Sequence, residues 1–231
     1  MKISIIMPTY NDASTIVETI DSVASQSYEN WQLIIINDGS TDNVENVINQ
    51  YRENSKHKNK IEYYYQENQD QLNAIGNGIK YINGDYVYIL HSDDLLPDDN
   101  FLQKMNDVAI QNPEIKVFIG DLVTIDENSN YSGDLKVAKY IKSKKVLPTL
   151  MLWLGRNLYV DVIFAKKDTF VNEIYNSYLT WNMPFWTKLD EKADILEVKN
   201  INFPMLKYRV HGGNYINNEM GKLNVINGEL R

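Results

Sequence analysis

The sequence predicts an α/β fold in which a mostly parallel central sheet is flanked by helices. Three observations lead there. Short apolar runs of strand length recur along the first half, segments with helical spacing of apolar residues separate them, and polar turns mark the junctions. Ile3–Met7 is an apolar strand stopped by Pro8. Ala13–Gln26 places Ile16, Ile20, Val23 and Ala24 at helical spacing, with Asn11 or Asp12 as its N-cap. Trp31–Ile36 reads as a strand buried on both faces. After the turn Asn37-Asp38-Gly39-Ser40, Thr41 or Asp42 caps a helix reaching about Tyr51. Ile61–Tyr65, Gln71–Ile82 and Tyr86–Leu90 continue as strand, helix and strand. Right-handed crossovers put the loops after such strands on one sheet edge, where open α/β sheets bind ligands.

The second half is less regular. Phe101–Gln111 is an expected helix ended by Asn112-Pro113, and Val117–Thr124 an expected strand. Residues 126–148 are polar and lysine-rich and read as a loop with one short helix. Leu150–Leu154 and Val160–Ala165 are short apolar pieces, and Trp181–Leu189 is aromatic and amphipathic. Ile195–Val198 and Met205–Val210 are expected strands. No linker composition or repeat divides the chain, so one domain over 1–231 is expected, with a ligand-binding half (1–95) and an irregular half (96–231).

Composition excludes several classes. The 231 residues are 43% apolar and 23% charged, ordinary for a globular chain. A net charge of -8, from 31 acidic and 23 basic residues, disfavours duplex nucleic acid and anionic membrane surfaces as partners. There is no cysteine, hence no disulfide framework, zinc–thiolate site or thiol nucleophile. No apolar run approaches the ~18 residues of a membrane span. Met1-Lys2 enters the first strand directly, with no signal-peptide pattern; the compartment stays open on these grounds, with the cytoplasm, or the inner face of the membrane, as the default expectation.

Four loops follow expected strands: Pro8-Thr9-Tyr10-Asn11, Asn37-Asp38-Gly39-Ser40, His91-Ser92-Asp93-Asp94 and His211-Gly212-Gly213-Asn214. Carboxylates gathered at one sheet edge repel unless a cation or hydrogen-bond donors sit among them. Asp93-Asp94 directly follows an apolar strand, and hard oxygens there suit Mg²⁺ or Mn²⁺ bridging to a substrate phosphate. The same pair could instead cap the helix after Leu95-Leu96-Pro97, and Asp38 could form an Asx-turn before its helix. Neither a Walker loop nor a G-x-G-x-x-G follows the first strand, which argues against P-loop and dinucleotide folds.

Taken together, Ser4–Asn11, Ile34–Asp42 and Gly84–Asp94, in that order and spacing, resemble family 2 glycosyltransferases, which have the GT-A fold. Lys207-Tyr208-Arg209-Val210-His211 resembles the YRxH stretch near the end of that family's catalytic domain. The resemblance implies an inverting glycosyltransferase of bacterial surface-glycan type. Its donor would be a nucleotide-diphosphate sugar, a UDP-sugar above all, and its acceptor a glycan, lipid-linked or protein-linked molecule. It implies Pro8, Tyr10 and Asp38 at the base pocket, and Asp93 and Asp94 in the metal-and-ribose motif. His211 would be a further ligand of Mn²⁺ or Mg²⁺. As plain residues, His211 is equally a turn histidine before Gly212-Gly213.

Some positions depart from the family pattern. His91 stands where an Asp is frequent. The catalytic base is usually an Asp four residues before a Trp. Anchored on Trp186 that position is Asn182, and a neutral amide cannot be a general base. Either the register differs here, or another carboxylate substitutes, or the protein is catalytically weak; Asp161, Asp190, Glu191 and Asp194 are candidate substitutes, and Asp161, which follows the apolar Leu158-Tyr159-Val160, is more often a structural hydrogen-bonding residue in such a place. Trp181, Phe185 and Trp186 could stack on sugar faces in an acceptor cleft but are more often core, Trp186 above all, and Trp181 is the better candidate for an acceptor platform. Lys136, Lys139, Lys142, Lys144 and Lys145 could meet a phosphorylated or lipid-linked acceptor, or a membrane surface, but such runs are more often solvated. The rival to an enzyme is a non-catalytic sugar-nucleotide or glycan-binding module. A nucleotidyltransferase would want a glycine-rich basic loop that Pro8–Asn11 does not supply.

Overall fold

Two segments in which every residue is buried form the centre of the sheet: β1 (Ile3–Thr9) and β2 (Trp31–Asp38). Around them the computed structural model, which describes residues 1–135, 163–175 and 198–212, places the remaining elements. These are α1 (Ile16–Ala24), α2 (Val44–Asn54), β3 (Ile61–Gln66), α3 (Gln71–Ile79), β4 (Tyr86–Ile89) and α4 (Phe101–Gln111). Then come β5 (Val117–Ile125), β6 (Tyr131–Leu135), β7 (Ile163–Lys166), a short α5 (Lys167–Thr169) and β8 (Val198–Arg209). The helices form where apolar residues recur at helical spacing. In α1 the buried residues are Ile16, Thr19, Ile20 and Val23. In α3, Gly78 lets the helix approach β1 closely, since a Cβ there would sit 2.6 Å from Ile6 Cγ2.

The sheet order is β3-β2-β1-β4-β7-β5-β6, with β8 also paired to β5. β1 runs parallel to both β2 and β4, and β2 to β3. β7 is antiparallel to both β4 and β5, so β5 points the same way as β4, and β8 is parallel to β5. The C-terminal ends of β1, β2, β4, β5 and β8 therefore share one edge. The chain moves outward from β1 to β3 and then returns to β4 on the other side of β1. That reversal, beyond the ends of β1 and β4, is where open α/β sheets place their ligand crevice.

Several expectations change. Residues Tyr131–Leu135 were expected in a loop and form strand β6 instead. The cause is the turn before them, where the Asp126 carboxylate accepts from the amides of Asn128 (2.9 Å) and Asn130 (2.8 Å) and folds the chain back on β5. Of the expected strand Ile195–Val198 only Val198 lies among the described residues, and from there β8 runs through the expected Met205 strand to Arg209, with register shifts beside Gly120 and Asp121 that accommodate Pro204. The helix expected from Ala13 starts at Ile16, with Thr15 at the N-cap, because the Asp12 carboxylate is engaged elsewhere. Among the described residues no helix is long and apolar enough to cross a membrane.

Candidate active site

The crevice is built by side chains from five strand ends. Its first feature is a link between the loops after β1 and β4. The Asp12 carboxylate accepts from Ser92 Oγ at 2.5 Å, from Tyr10 N at 3.1 Å and from Thr9 Oγ1 at 3.3 Å. Burial, with the charge of Asp93 adding to it, pushes the Asp12 carboxyl above the ordinary carboxylate range. Ser92 is tied down further: its hydroxyl donates to Pro8 O at 3.2 Å and its carbonyl accepts from Thr19 Oγ1 at 2.9 Å. Asp12 was read from sequence only as a helix cap. Its place before a helix start is the commonest one for a capping Asp, and nothing in the spacing announced Ser92 as its partner.

The acidic pair splits. Asp93 is part-exposed, and its Oδ2 lies 2.9 Å from Nε2 of His211, which is part-exposed as well. Asp94, expected beside it as a second metal ligand, is fully buried, and its Oδ1 accepts the backbone N–H of Arg209 at 2.8 Å. It does not cap a helix either, because α4 begins at Phe101, after Asn100. Consecutive residues leaving a strand point opposite ways, so one carboxylate faces the crevice and the other holds β8. Backbone hydrogen bonds between Leu95 and Lys207, at 3.0 and 2.9 Å, lay the loop against β8.

Toward β2 lies the expected base pocket. Pro8 is buried on β1 and Tyr10 is 48% exposed at the mouth. Asp38 is 3% exposed. Its Oδ1 accepts from Gln66 Nε2 at 2.7 Å and Gln69 N at 2.9 Å, so Asp38 is fixed across the sheet rather than in an Asx-turn. The Asx-turn belongs to Asn37, whose Oδ1 accepts from Ser40 N at 2.9 Å. Gly39 adopts φ +70, and a Cβ there would lie 2.6 Å from Asn68 N. Asn11, also at positive φ (61), accepts from the amides of Thr41 (2.7 Å) and Asp42 (3.2 Å), zipping the first two loops together. Asp161, Asn182, Trp181, Phe185, Trp186, Asp190, Glu191, Asp194 and the lysine run lie outside the described residues.

The donor chemistry of the Asp93–His211 pair fits a divalent cation. In the structure Asp93 Oδ2 and His211 Nε2 lie 2.9 Å apart, the length of an ordinary hydrogen bond. One imidazole nitrogen with one carboxylate oxygen suits Mn²⁺ as well as Mg²⁺. No third Asp, Glu or His completes a cluster among the described residues, so a cation held there would take its other ligands from substrate oxygens and water.

A profile described as "Glycosyl transferase family 2" matches residues 4–189. The chain belongs to glycosyl transferase family 2. This family 2 domain is 30% identical over 229 residues to an uncharacterized glycosyltransferase of Rickettsia typhi, covering 96% of the chain and 68% of that relative. It spans only 37% of the length of a similar Rickettsia felis protein and 30% of one from Rickettsia bellii. Among solved structures it superposes on S. aureus TarS 1–349 in complex with UDP-GlcNAc with a TM-score of 0.67 at 16% identity, covering 100% of this chain and 68% of that one. The mannosyltransferase PcManGT from Pyrobaculum calidifontis, in complex with GDP-Man and Mn²⁺, gives 0.66 at 15%, covering 100% and 64%. The family 2 domain thus has the GT-A fold expected from its sequence.

Proposed function

We propose that this family 2 domain transfers a sugar from a nucleotide-diphosphate donor, a UDP-sugar, to a glycan, lipid-linked or protein-linked acceptor with inversion at the anomeric carbon. The observation that carries the reading is the Asp93–His211 pair, 2.9 Å apart at the edge shared with Asp38 and Tyr10. Complexes of similar structures with UDP-GlcNAc, and with GDP-Man and Mn²⁺, support the donor class and the cation.

In this reading Asp38 accepts the ring N–H of the base, and Tyr10 covers the base from the solvent side. Asp93 and His211 hold Mn²⁺ or Mg²⁺. Bound there, the cation would neutralise charge gathering on the leaving diphosphate, stabilising the transition state over the ground state. Asp94 serves as a strut rather than a ligand. The acceptor hydroxyl attacks from the opposite face of the sugar, and a carboxylate within hydrogen-bond reach takes its proton. Asp161 is the proposed base, since Asn182 cannot take a proton. The domain would work on the cytoplasmic side of the membrane, where nucleotide sugars are made.

Calorimetric titration of UDP with and without Mn²⁺ tests the site. Mn²⁺ should tighten UDP binding in the wild type and not in Asp93→Ala or His211→Ala. An unchanged Mn²⁺ effect in both variants would sink it. Asn182 favours a second reading, a module that binds sugar nucleotides without turning them over. Donor hydrolysis assays across UDP- and GDP-sugars separate the two, and binding without turnover for every donor and acceptor would establish the module.

A further inference from the structure

Arg209 is the only Lys or Arg among the described residues that is buried, at 2% exposure. Burying a guanidinium is costly unless its donors are satisfied, and an apolar side chain of similar volume often serves stability as well. The residue therefore calls for a use. Its donors tie the candidate active site to α1 and to the turn between β5 and β6. Nε donates to the Asp93 carbonyl at 2.7 Å, and Nη2 to Glu18 Oε2 at 2.7 Å. Nη1 donates to Ser129 Oγ at 2.9 Å, Glu127 O at 3.2 Å and Asp126 O at 3.3 Å. Its backbone N–H donates to Asp94. Two residues further on, His211 meets the Asp93 carboxylate. The end of β8 thus grips Asp93 twice, by the main-chain carbonyl through Arg209 and by the side chain through His211.

We infer that Arg209 is the positioning residue that presets Asp93 and His211 as a cation-binding pair, with Glu18 of α1 and the 126–129 turn fixing the guanidinium in turn. The inference rests on the reading that this pair holds a divalent cation. A planar fork with five donors can reach an α1 carboxylate, a turn and the Asp93 carbonyl at once. A lysine ammonium on a flexible stem cannot. Glu18 is 47% exposed, so water can replace its carboxylate with little harm to the fold.

The test is UDP affinity by calorimetry, with and without Mn²⁺, for the wild type, Arg209→Lys and Glu18→Ala, each checked by thermal melting. In Arg209→Lys the metal-free UDP affinity should hold within about twofold while the Mn²⁺-dependent gain falls ~10–100-fold, the usual cost of removing a partner that orients a metal ligand. Glu18→Ala should move the same quantity in the same direction by less. A full Mn²⁺ gain in folded Arg209→Lys overturns the inference. Should that variant not fold, a full gain in Glu18→Ala does so. Equal losses with and without Mn²⁺ also overturn it, since they mark general disruption. Absence of any Mn²⁺ gain in the wild type overturns the cation reading of the pair itself.

Discussion

Removing the Asp94 carboxylate would strip a fully buried acceptor from the Arg209 amide and unbalance a buried guanidinium nearby. Asp94→Ala should therefore cost ~3–5 kcal/mol, read as a fall in melting temperature. Asp93→Ala should cost no more than about 1 kcal/mol, because its carboxylate is part-exposed, while the Mn²⁺-dependent gain in UDP affinity disappears. Equal melting temperatures for the two variants would contradict this division. Gly39 gives a second case. At φ +70, with a Cβ position 2.6 Å from Asn68 N, Gly39→Ala should destabilise by ~1–3 kcal/mol and weaken UDP binding through the shifted loop. Sequence could mark Asp38, Asp93 and His211, since strand ends and a family resemblance pointed at them. Arg209 was marked only as a letter of the YRxH resemblance, with no role attached, because a charged residue at the end of a strand ordinarily faces water. Only the convergence of acceptors from α1, the loop after β4 and a hairpin turn makes its burial tolerable.

Strands and helices of the first half were legible because each carries its own signal. Residues of β1 and β2 are apolar on both faces, and α1 repeats its apolar residues at helical spacing. The later elements depend on partners. Tyr131-Ser132-Gly133-Asp134 has little strand character, and becomes β6 because the Asp126 turn returns it to β5. β7 is only four residues long, yet it joins the two halves of the sheet. Its Phe164 stacks on Tyr86 of β4 (centroids 4.8 Å, planes 9° apart) and tilts against Phe118 of β5 (6.3 Å). Phe164→Ala should cost ~3–5 kcal/mol in chemical denaturation, more than an exposed aromatic such as Tyr65. A loss under 1 kcal/mol would show that β7 does not carry the junction.

Over the whole molecule, the response to pH can be signed. The Tyr64 hydroxyl donates to Glu62 at 2.7 Å, and burial together with that carboxylate raises its pKa from 10.0 to about 12. The folded state thus holds a proton that the unfolded chain has released. Stability falls as pH rises from 10 to about 12, and Tyr64→Phe should flatten that limb of a denaturation series. On the acid side, Asp98 sits below its ordinary 3.8: burial alone would raise it, but hydrogen bonds from Lys104 and the Asn100 amide, with the Lys104 charge, outweigh that. Its contribution is present above 3.8 and fades as pH drops through the lowered value. The placement of β7 bears on how the protein is made. A ribosome delivers β4 and β5 well before residues 163–166, so during synthesis the nascent chain carries a gap between them with both borders unpaired. Until that strand arrives, those borders can recruit the wrong neighbour. Translation pausing or holdase binding over this interval should therefore govern the yield of usable protein more than the stability of the finished fold does.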